Sequence, residues 1–436
     1  MARSRGRAQK LTESTSCPRA TIRSASPREK SQSGAVDLRG TAEPLLGVAY
    51  GGQNLRDRAA QRLAAEAFEN SWDFGHHNPM SAKPKFTKKS TRETQPSILR
   101  QALLRKLPVR LYARAEILLP AVPGLLEHYA QGLVATWAAL GRNFTPAEVE
   151  HLRGLLGNTL KQAYESSPYS RVSVVYETDP PPKTTITYTV AISHATIESE
   201  YAQWVAERTP PLFGLHPDSK VMELARSLGS PVNVAVLDVG AGTGRNTLPL
   251  AREGFATDAV ELAPALAQLL REDVAKAQLP VRVYEGNILD PALAVEHRKY
   301  NLVLLAEVVA SHFRTVQQVR ELFEAANRLL APGGLLLFSA FVALDGYKPD
   351  DVARAASQVL WCCIFTRPEL QQAVAGLPFE NVADESTLEY ERSRLPAEQW
   401  PPTGWYEQWT AGQDLFDLPV SKSPIELRWL TYRKTQ

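Results

Sequence analysis

The sequence predicts an α/β fold, a doubly wound Rossmann-like sheet in the second half of the chain. Two observations carry this reading. After Ser219, short apolar β-rich runs (NVAVLDVG, ATDAVEL, VRVYEG, YNLVLLAE, GGLLLFSAF) alternate with helical stretches (RNTLPLAREG, PALAQLLREDVAKAQ, VQQVRELFEAANRLLAP). Alternation of this kind marks βαβ units around a buried parallel sheet. The first run leads into VLDVGAGTGRNTLPLA (236–251), where Asp238 ends a strand and Gly240, Gly242 and Gly244 precede a helix. Such a loop can take φ > 0 and approach a ligand closely, with the N–H groups of the helix start pointing at the same place.

The remaining elements follow in chain order. Of 436 residues, 44% are apolar and 22% charged, as in an ordinary globular protein. The net charge of +2 hides an asymmetry: residues 1–110 hold 21 Lys and Arg against 9 Asp and Glu, the remainder 28 against 38. Residues 1–95 are rich in Arg, Lys, Ser and Gln with little periodicity, and are expected to be a disordered basic extension. The first 28 residues resemble a transit peptide in composition; a tail, or an upstream extension before Met80, is the preferred reading. Residues 96–210 are expected to form an accessory region. Helical spacing runs from Ser97 to Gln162, broken at Pro108, Pro120, Pro123 and Gly141. Thr145, Pro146 and Glu148 form a helix-start signal. RVSVVYET (171–178) and KTTITYTVAI (183–192) flank a proline-laden loop as a hairpin or two edge strands. A helix over Ala195–Arg208 leads into the α/β domain, 211–436. Its last expected strands are FENVADESTLEY and PIELRWLTYRK. The three cysteines, Cys17, Cys362 and Cys363, form no CxxC pattern, which suits a reducing, cytoplasmic setting. Charges interrupt every long apolar run, so no membrane span is expected.

The glycine spacing narrows the ligand. A dinucleotide fingerprint, GxGxxG, places its third glycine at 245, where this chain has Arg245. The pattern therefore suits a ligand without a pyrophosphate. Glu261, ending the next strand, offers an acceptor-only carboxylate to both hydroxyls of a ribose. Asn287 and Ile288, after the third strand, fall where an adenine ring could be lined.

VLDVGAGTGRNTLPLA, VELAP, EGNILD, YNLVLLAEVVASH and LLAPGGLLLFSAF, in this order, resemble the motif series of class I S-adenosylmethionine-dependent methyltransferases. The GRNT helix start is similar to the tellurite-resistance type and its small-molecule relatives. The resemblance covers 219–341 well, the last hundred residues loosely and residues 1–190 not at all. It implies a seven-stranded sheet with an antiparallel last strand, and S-adenosylmethionine as cofactor. By position it implies Asp238, Gly240, Ala241, Gly242 and Gly244 at the methionine end, with Asp238 near the amino group. Glu261 would bind the ribose, with Leu262 beside it in the donor site, and Asn287 and Ile288 would line the adenine; many members carry aspartate where this chain has Asn287. Ala306 and Glu307 would lie near the methionine end and the acceptor. His312 falls where many relatives have a histidine at the site mouth.

Methyl transfer from a sulfonium rests on proximity, orientation and water exclusion, and needs a base only where the acceptor loses a proton. Glu307 and His312 are the candidate bases; for His312 the preferred reading is a histidine that satisfies the backbone at the strand–helix junction. The fourth strand is followed by AEVV rather than an Asp/Asn-Pro-Pro-Tyr/Phe clamp, which argues against amino methylation of nucleic-acid bases. Cys362 and Cys363, in WCCIF on an expected apolar helix, read as packed thiols rather than nucleophiles. Nucleic-acid binding by the basic head is possible by charge, but its cations are not interleaved with aromatics. Trp400, Trp405, Tyr406 and Trp409 either wall an acceptor pocket or pack their loop, and Tyr201 and Trp204 either close over the donor or pack their helix. A small-molecule acceptor is expected. The competing readings are a protein or RNA acceptor recognised by residues 96–210, and a donor-binding scaffold without activity.

Overall fold

Alternate residues of the central strands point to opposite faces of one sheet, and both faces are covered by helices. The computed structural model describes residues 92–297 and 299–436, so the expected disordered extension falls, except for its last residues, outside the described residues. The strands of the α/β domain are β4 (Ala235–Val239), β5 (Ala256–Glu261), β6 (Arg282–Glu285), β7 (Tyr300–Leu305), β8 (Leu330–Ala343), β9 (Ile364–Phe365), β10 (Phe379–Ser386) and β11 (Ile425–Lys434), following β1 to β3 of the accessory region. Their order is β6-β5-β4-β7-β8-β11-β10, with β9 paired to β8 off this path. Every pair from β6 to β8 is parallel, and β11 lies antiparallel between β8 and β10. The sheet thus has the expected doubly wound form with a reversed last strand.

Period-two alternation divides the core. Leu237, Val239, Val303, Leu305, Leu336 and Phe338 face the helix Val316–Leu329, which buries Leu322, Phe323 and Ala326 against them. Val236, Leu302, Leu304, Leu335 and Leu337 face Val221, Met222 and Ala225 of the helix Ser219–Ser227. The chain runs outward from β4 through β5 to β6, then returns to β7 on the other flank of β4. That reversal opens a crevice at the carboxyl ends of β4 and β7, where ligands bind in open α/β sheets.

The accessory region differs from its expected form. The expected hairpin forms as β2 (Arg171–Thr178) and β3 (Ile186–Ser193), but a further strand, β1 (Arg114–Pro120), pairs with β2, giving a three-stranded antiparallel sheet covered by helices Leu126–Ala139 and Pro146–Ser166. The strand β1 was hidden in apparent helical spacing. Its true period is two: Ala113, Ala115, Ile117 and Leu119 face the core while Arg114, Glu116 and Leu118 face out, and Ile117 pairs with Val174. The expected helix start at Thr145 forms as a capping box with Glu148. Trp137 is fully buried, stacked 5.0 Å from both Phe144 and Tyr188.

Two contacts fix the accessory region onto the domain. Tyr201 and Val205 of the helix Ile197–Glu207, with Leu212 and Phe213, pack against Ala263 and Leu266 beside the glycine loop. On the other side, a Cβ on Gly124 would lie 2.5 Å from Val352 Cγ2, and the Tyr164 hydroxyl donates to Gln358 Oε1 at 2.8 Å. Both partners lie on Asp351–Val359, the helix inserted after β8. Cys362 and Cys363 follow that helix in extended chain leading into β9, rather than on a helix, and are buried as packed thiols. Among the described residues, no helix is long and apolar enough to cross a membrane.

Candidate functional site

The loop after β4 is shaped by backbone constraint. Gly240 has φ +69° and is exposed between buried Val239 and Ala241, so the chain opens onto the crevice at one peptide. A Cβ there would lie 2.3 Å from Val308 Cγ2, which only glycine avoids. Gly244 has a different duty: at φ +90° its missing Cβ leaves room for Leu270 Cδ1, 2.6 Å from where that Cβ would stand. It seats the helix Pro264–Lys276 rather than lining the opening. The ring of Phe213, from the accessory side, lies over Gly242.

Glu261, at the end of β5, is buried and turned back to the loop. Its Oε2 accepts the Gly242 N–H at 2.7 Å, and its Oε1 the Ala263 N–H at 2.8 Å. An ionised carboxylate offers about four acceptor positions, and the Leu262 N–H also acts on this one, so at least one remains for a ligand hydroxyl. Burial raises its pKa against the pull of those N–H groups. Asp238 accepts a hydrogen bond from the Thr247 hydroxyl at 2.6 Å, and burial pushes its pKa to about 7 despite that bond and Arg245.

Arg245 stands behind the loop, almost wholly buried. Its guanidinium donates to Asp218 Oδ1 at 2.6 Å and to Glu307 Oε1 at 2.8 Å. Burial opposes its charge, but the two carboxylates outweigh burial and hold its proton more tightly than usual. Glu307 has left-handed backbone (φ +64°), its N–H donates to Ser339 Oγ at 2.7 Å, and burial raises its pKa against the Arg245 charge. The expected base is thus the partner of a buried arginine. Asn246 donates to Asp218 from the same loop, and Glu391 accepts the N–H groups of Ser219 and Lys220, completing a buried polar layer.

His312 is held at both ring nitrogens. The Tyr169 hydroxyl lies 2.8 Å from Nδ1 and the Tyr201 hydroxyl 2.9 Å from Nε2. Burial, with Arg314 nearby, lowers its pKa to about 3, so the ring is neutral at physiological pH. A neutral imidazole donates from one nitrogen and accepts at the other. One tyrosine therefore donates to it and the other accepts from it, leaving that second O–H to point elsewhere. Around this bridge, Trp361 (φ +60°) lies 5.4 Å from His312 and stacks on Trp204 at 5.0 Å, and Arg208 lies over the Trp204 ring at 3.6 Å. Tyr169, Tyr201 and Trp204 come from the accessory region, His312 and Trp361 from the domain.

The other expected residues distribute as follows. Ala306 directly follows β7, partly exposed at the crevice, and Leu262 is likewise partly exposed after β5. Asn287 is exposed, with its Oδ1 accepting the Leu289 N–H at 2.9 Å. Ile288 is not at the surface of the crevice but buried in the main core beside Val295. Trp409 packs on Phe341 at 5.2 Å within the core, and Tyr406 is buried near Arg245, so two of the four loop aromatics are structural. Sequence reading missed Arg245 as an organiser, as well as Asp218, Tyr169, Phe213 and Trp361. The signal for Arg245 was present, since a charged residue directly after Gly244 must either reach solvent or find buried acids.

The charge pattern tests whether a sulfonium nucleoside suits this crevice. S-adenosylmethionine carries a cationic sulfur and an ammonium group. Asp218, Asp238, Glu261 and Glu307 surround the loop with the Arg245 guanidinium among them. A cationic ligand would relieve the burial that raises Asp238 and Glu261, whereas a pyrophosphate would meet excess negative charge. The residues present fit the group.

Residues 236–334 match the family model described as a methyltransferase domain. Over 117 residues the chain is 29% identical to the demethylmenaquinone methyltransferase of Tropheryma whipplei strain Twist, covering 27% of this chain and 45% of that protein. The enzyme from strain TW08/27 matches equally. The chain therefore spans less than half the length of these curated relatives. Among solved structures, geranyl diphosphate C-methyltransferase from Streptomyces coelicolor A3(2) aligns with a TM-score of 0.39 at 15% identity, covering 55% of this chain and 98% of that one. Residues 236–334 thus carry a methyltransferase domain.

Proposed function

We propose that this chain transfers a methyl group from S-adenosylmethionine to a small, largely apolar acceptor. The observation that carries the reading is the crevice at the ends of β4 and β5. There an exposed Gly240 backbone, the Glu261 carboxylate at the end of β5 and an excess of buried acids fit a cationic nucleoside. When bound, the donor supplies an electrophilic methyl group on a sulfonium. Asp238 would neutralise its ammonium, Glu261 would take the ribose hydroxyls, and Leu262 and Asn287 would border the base. The Gly240, Ala241 and Gly242 peptides would lie along the methionine end, near Ala306.

The chain's remaining work is orientation and water exclusion. Phe213 lies over Gly242 of the loop, and Tyr201, Trp204 and Trp361 form an aromatic cluster around His312, surroundings that suit an apolar acceptor. Similarity to a demethylmenaquinone methyltransferase supports the same direction. Glu307, paired with Arg245, would act by its charge and by fixing the loop rather than as a base. His312, neutral and bridged by two tyrosines, would pass a proton along Tyr169–His312–Tyr201 if the acceptor must lose one. Calorimetric titration with S-adenosylmethionine and NAD tests the donor, and failure of the sulfonium donor to bind refutes the reading. Incubation of the chain with cell extract and labelled donor then tests the acceptor. Label found in macromolecules alone would reject the small-molecule assignment.

A further inference from the structure

The stretch that opens the described chain is anomalous in its exposure. The helix Pro96–Leu104 buries none of its residues. Ile98, Leu99, Leu103, Leu104, Leu107 and Leu111 are each between 41% and 59% exposed. Single exposed leucines need no explanation, but a contiguous series does. On the helix, Ile98, Leu99, Ala102 and Leu103 share one face, the spacing that burial of a helix side requires.

Cations accompany this face. Arg100, Arg105, Lys106, Arg110 and Arg114 fall within residues 94–115, a span without Asp or Glu. Just upstream, Lys83, Lys85, Lys88, Lys89 and Arg92 continue the series, with Glu93 the single acid between 81 and 115. The end of the stretch is tied to the accessory region. Buried Arg142 donates to the Leu111 carbonyl at 3.3 Å, the Tyr112 hydroxyl donates to Glu177 at 2.6 Å, and a Cβ on Gly141 would lie 2.7 Å from the Val109 backbone.

We propose that residues 96–112 form an in-plane anchor that seats the chain on an anionic lipid surface. Charge selects this occupant. A second copy would meet the same patch across a two-fold axis, setting five cations against five. Residues 1–91 hold 16 Lys and Arg against 8 Asp and Glu, so like charge opposes their covering it. Nucleic acid would satisfy the cations but leave six aliphatic side chains in water, since single strands bind on aromatic platforms. Anionic lipid satisfies both: aliphatic side chains enter the acyl boundary while arginine and lysine stems extend to the phosphates.

The test is co-sedimentation of the full chain with vesicles of phosphatidylcholine alone and of phosphatidylcholine and phosphatidylglycerol in equal parts. Binding is expected only to the second, weakening as salt is added. Leu103→Ser with Leu104→Ser should lower partitioning by at least about tenfold. Arg105→Gln and Lys106→Gln should each lower it about fivefold. These side chains are exposed, and an unchanged melting temperature confirms that each variant folds. Absence of binding, or equal binding to neutral vesicles, overturns the proposal. So does a dimer in solution that the leucine double variant dissociates, or nucleic-acid binding that it leaves intact.

Discussion

Asp238 carries a cost that the ligand-free protein should reveal. The ordinary carboxylate value of 3.8 is raised to about 7, burial being the largest cause. Between those values the folded protein holds a proton that the unfolded chain has released. Stability therefore falls as pH rises through this window and levels off above it. The full penalty, at about 1.4 kcal/mol per factor of ten in proton affinity, is about 4 kcal/mol. Asp238→Asn removes the titration yet keeps an oxygen that can accept from the Thr247 hydroxyl. Its stability relative to wild type should therefore grow by about 3 kcal/mol between pH 5 and pH 8. Denaturant unfolding of the ligand-free proteins at the two pH values measures this directly. The same variant should bind S-adenosylmethionine about ten- to a hundredfold more weakly at pH 8, having lost a charge-assisted contact. A stability difference that does not change with pH would refute the burial argument. Undiminished donor affinity would refute the contact with the donor's ammonium.

Four other substitutions probe the same site. Glu261→Ala should weaken donor binding by at least about thirtyfold, because two hydroxyls lose a charged acceptor; calorimetry showing unchanged affinity would reject the ribose assignment. Arg245→Met should cost about 3–5 kcal/mol by stranding Asp218 and Glu307 as buried, uncompensated charges. Glu307→Gln added to that background should recover part of the loss, and strict additivity in a double-mutant cycle would show that the pair does not interact. His312, already neutral with a pKa lowered to about 3, should give no inflection to the rate of methyl transfer between pH 5 and pH 8. An inflection near 6.5 that His312→Asn abolishes would show that the ring titrates freely.

The fold was legible where one physical period dominates over a long run. β4, β5, β7 and β8 are covered on both faces, so they read as apolar runs divided by helices, and their order needed no knowledge of contacts. β1 was not legible. Its residues Ala115, Ile117 and Leu119 satisfy a period of two, but flanking helices with leucines at mixed spacing masked it, and only pairing with β2 decides the matter. The site divides along the same line. Asp238, Gly240 and Glu261 could be placed because a strand end fixes where they must lie. That Gly244 packs against Leu270 and that Ile288 lies in the core was not legible. A residue beside a loop can face either way, and packing partners distant in sequence choose between them.

The same distance effect explains why the acceptor side resisted reading. Tyr169 and Trp361 lie 192 positions apart in sequence, yet their rings are 5.5 Å apart. His312 meets Tyr169 and Tyr201 only because the accessory sheet docks on the helix Asp351–Val359 and the helix Ile197–Glu207 docks beside the glycine loop. The aromatic cluster around His312 is therefore built jointly by a domain with a recognisable motif series and a region without one. Loosening the docking should act on the acceptor side while sparing donor affinity. Gly124→Leu, which places a side chain where Val352 already stands, separates the two: donor titration should change little, while acceptor methylation should fall. Equal loss of both would mean that the accessory region supports the donor loop itself.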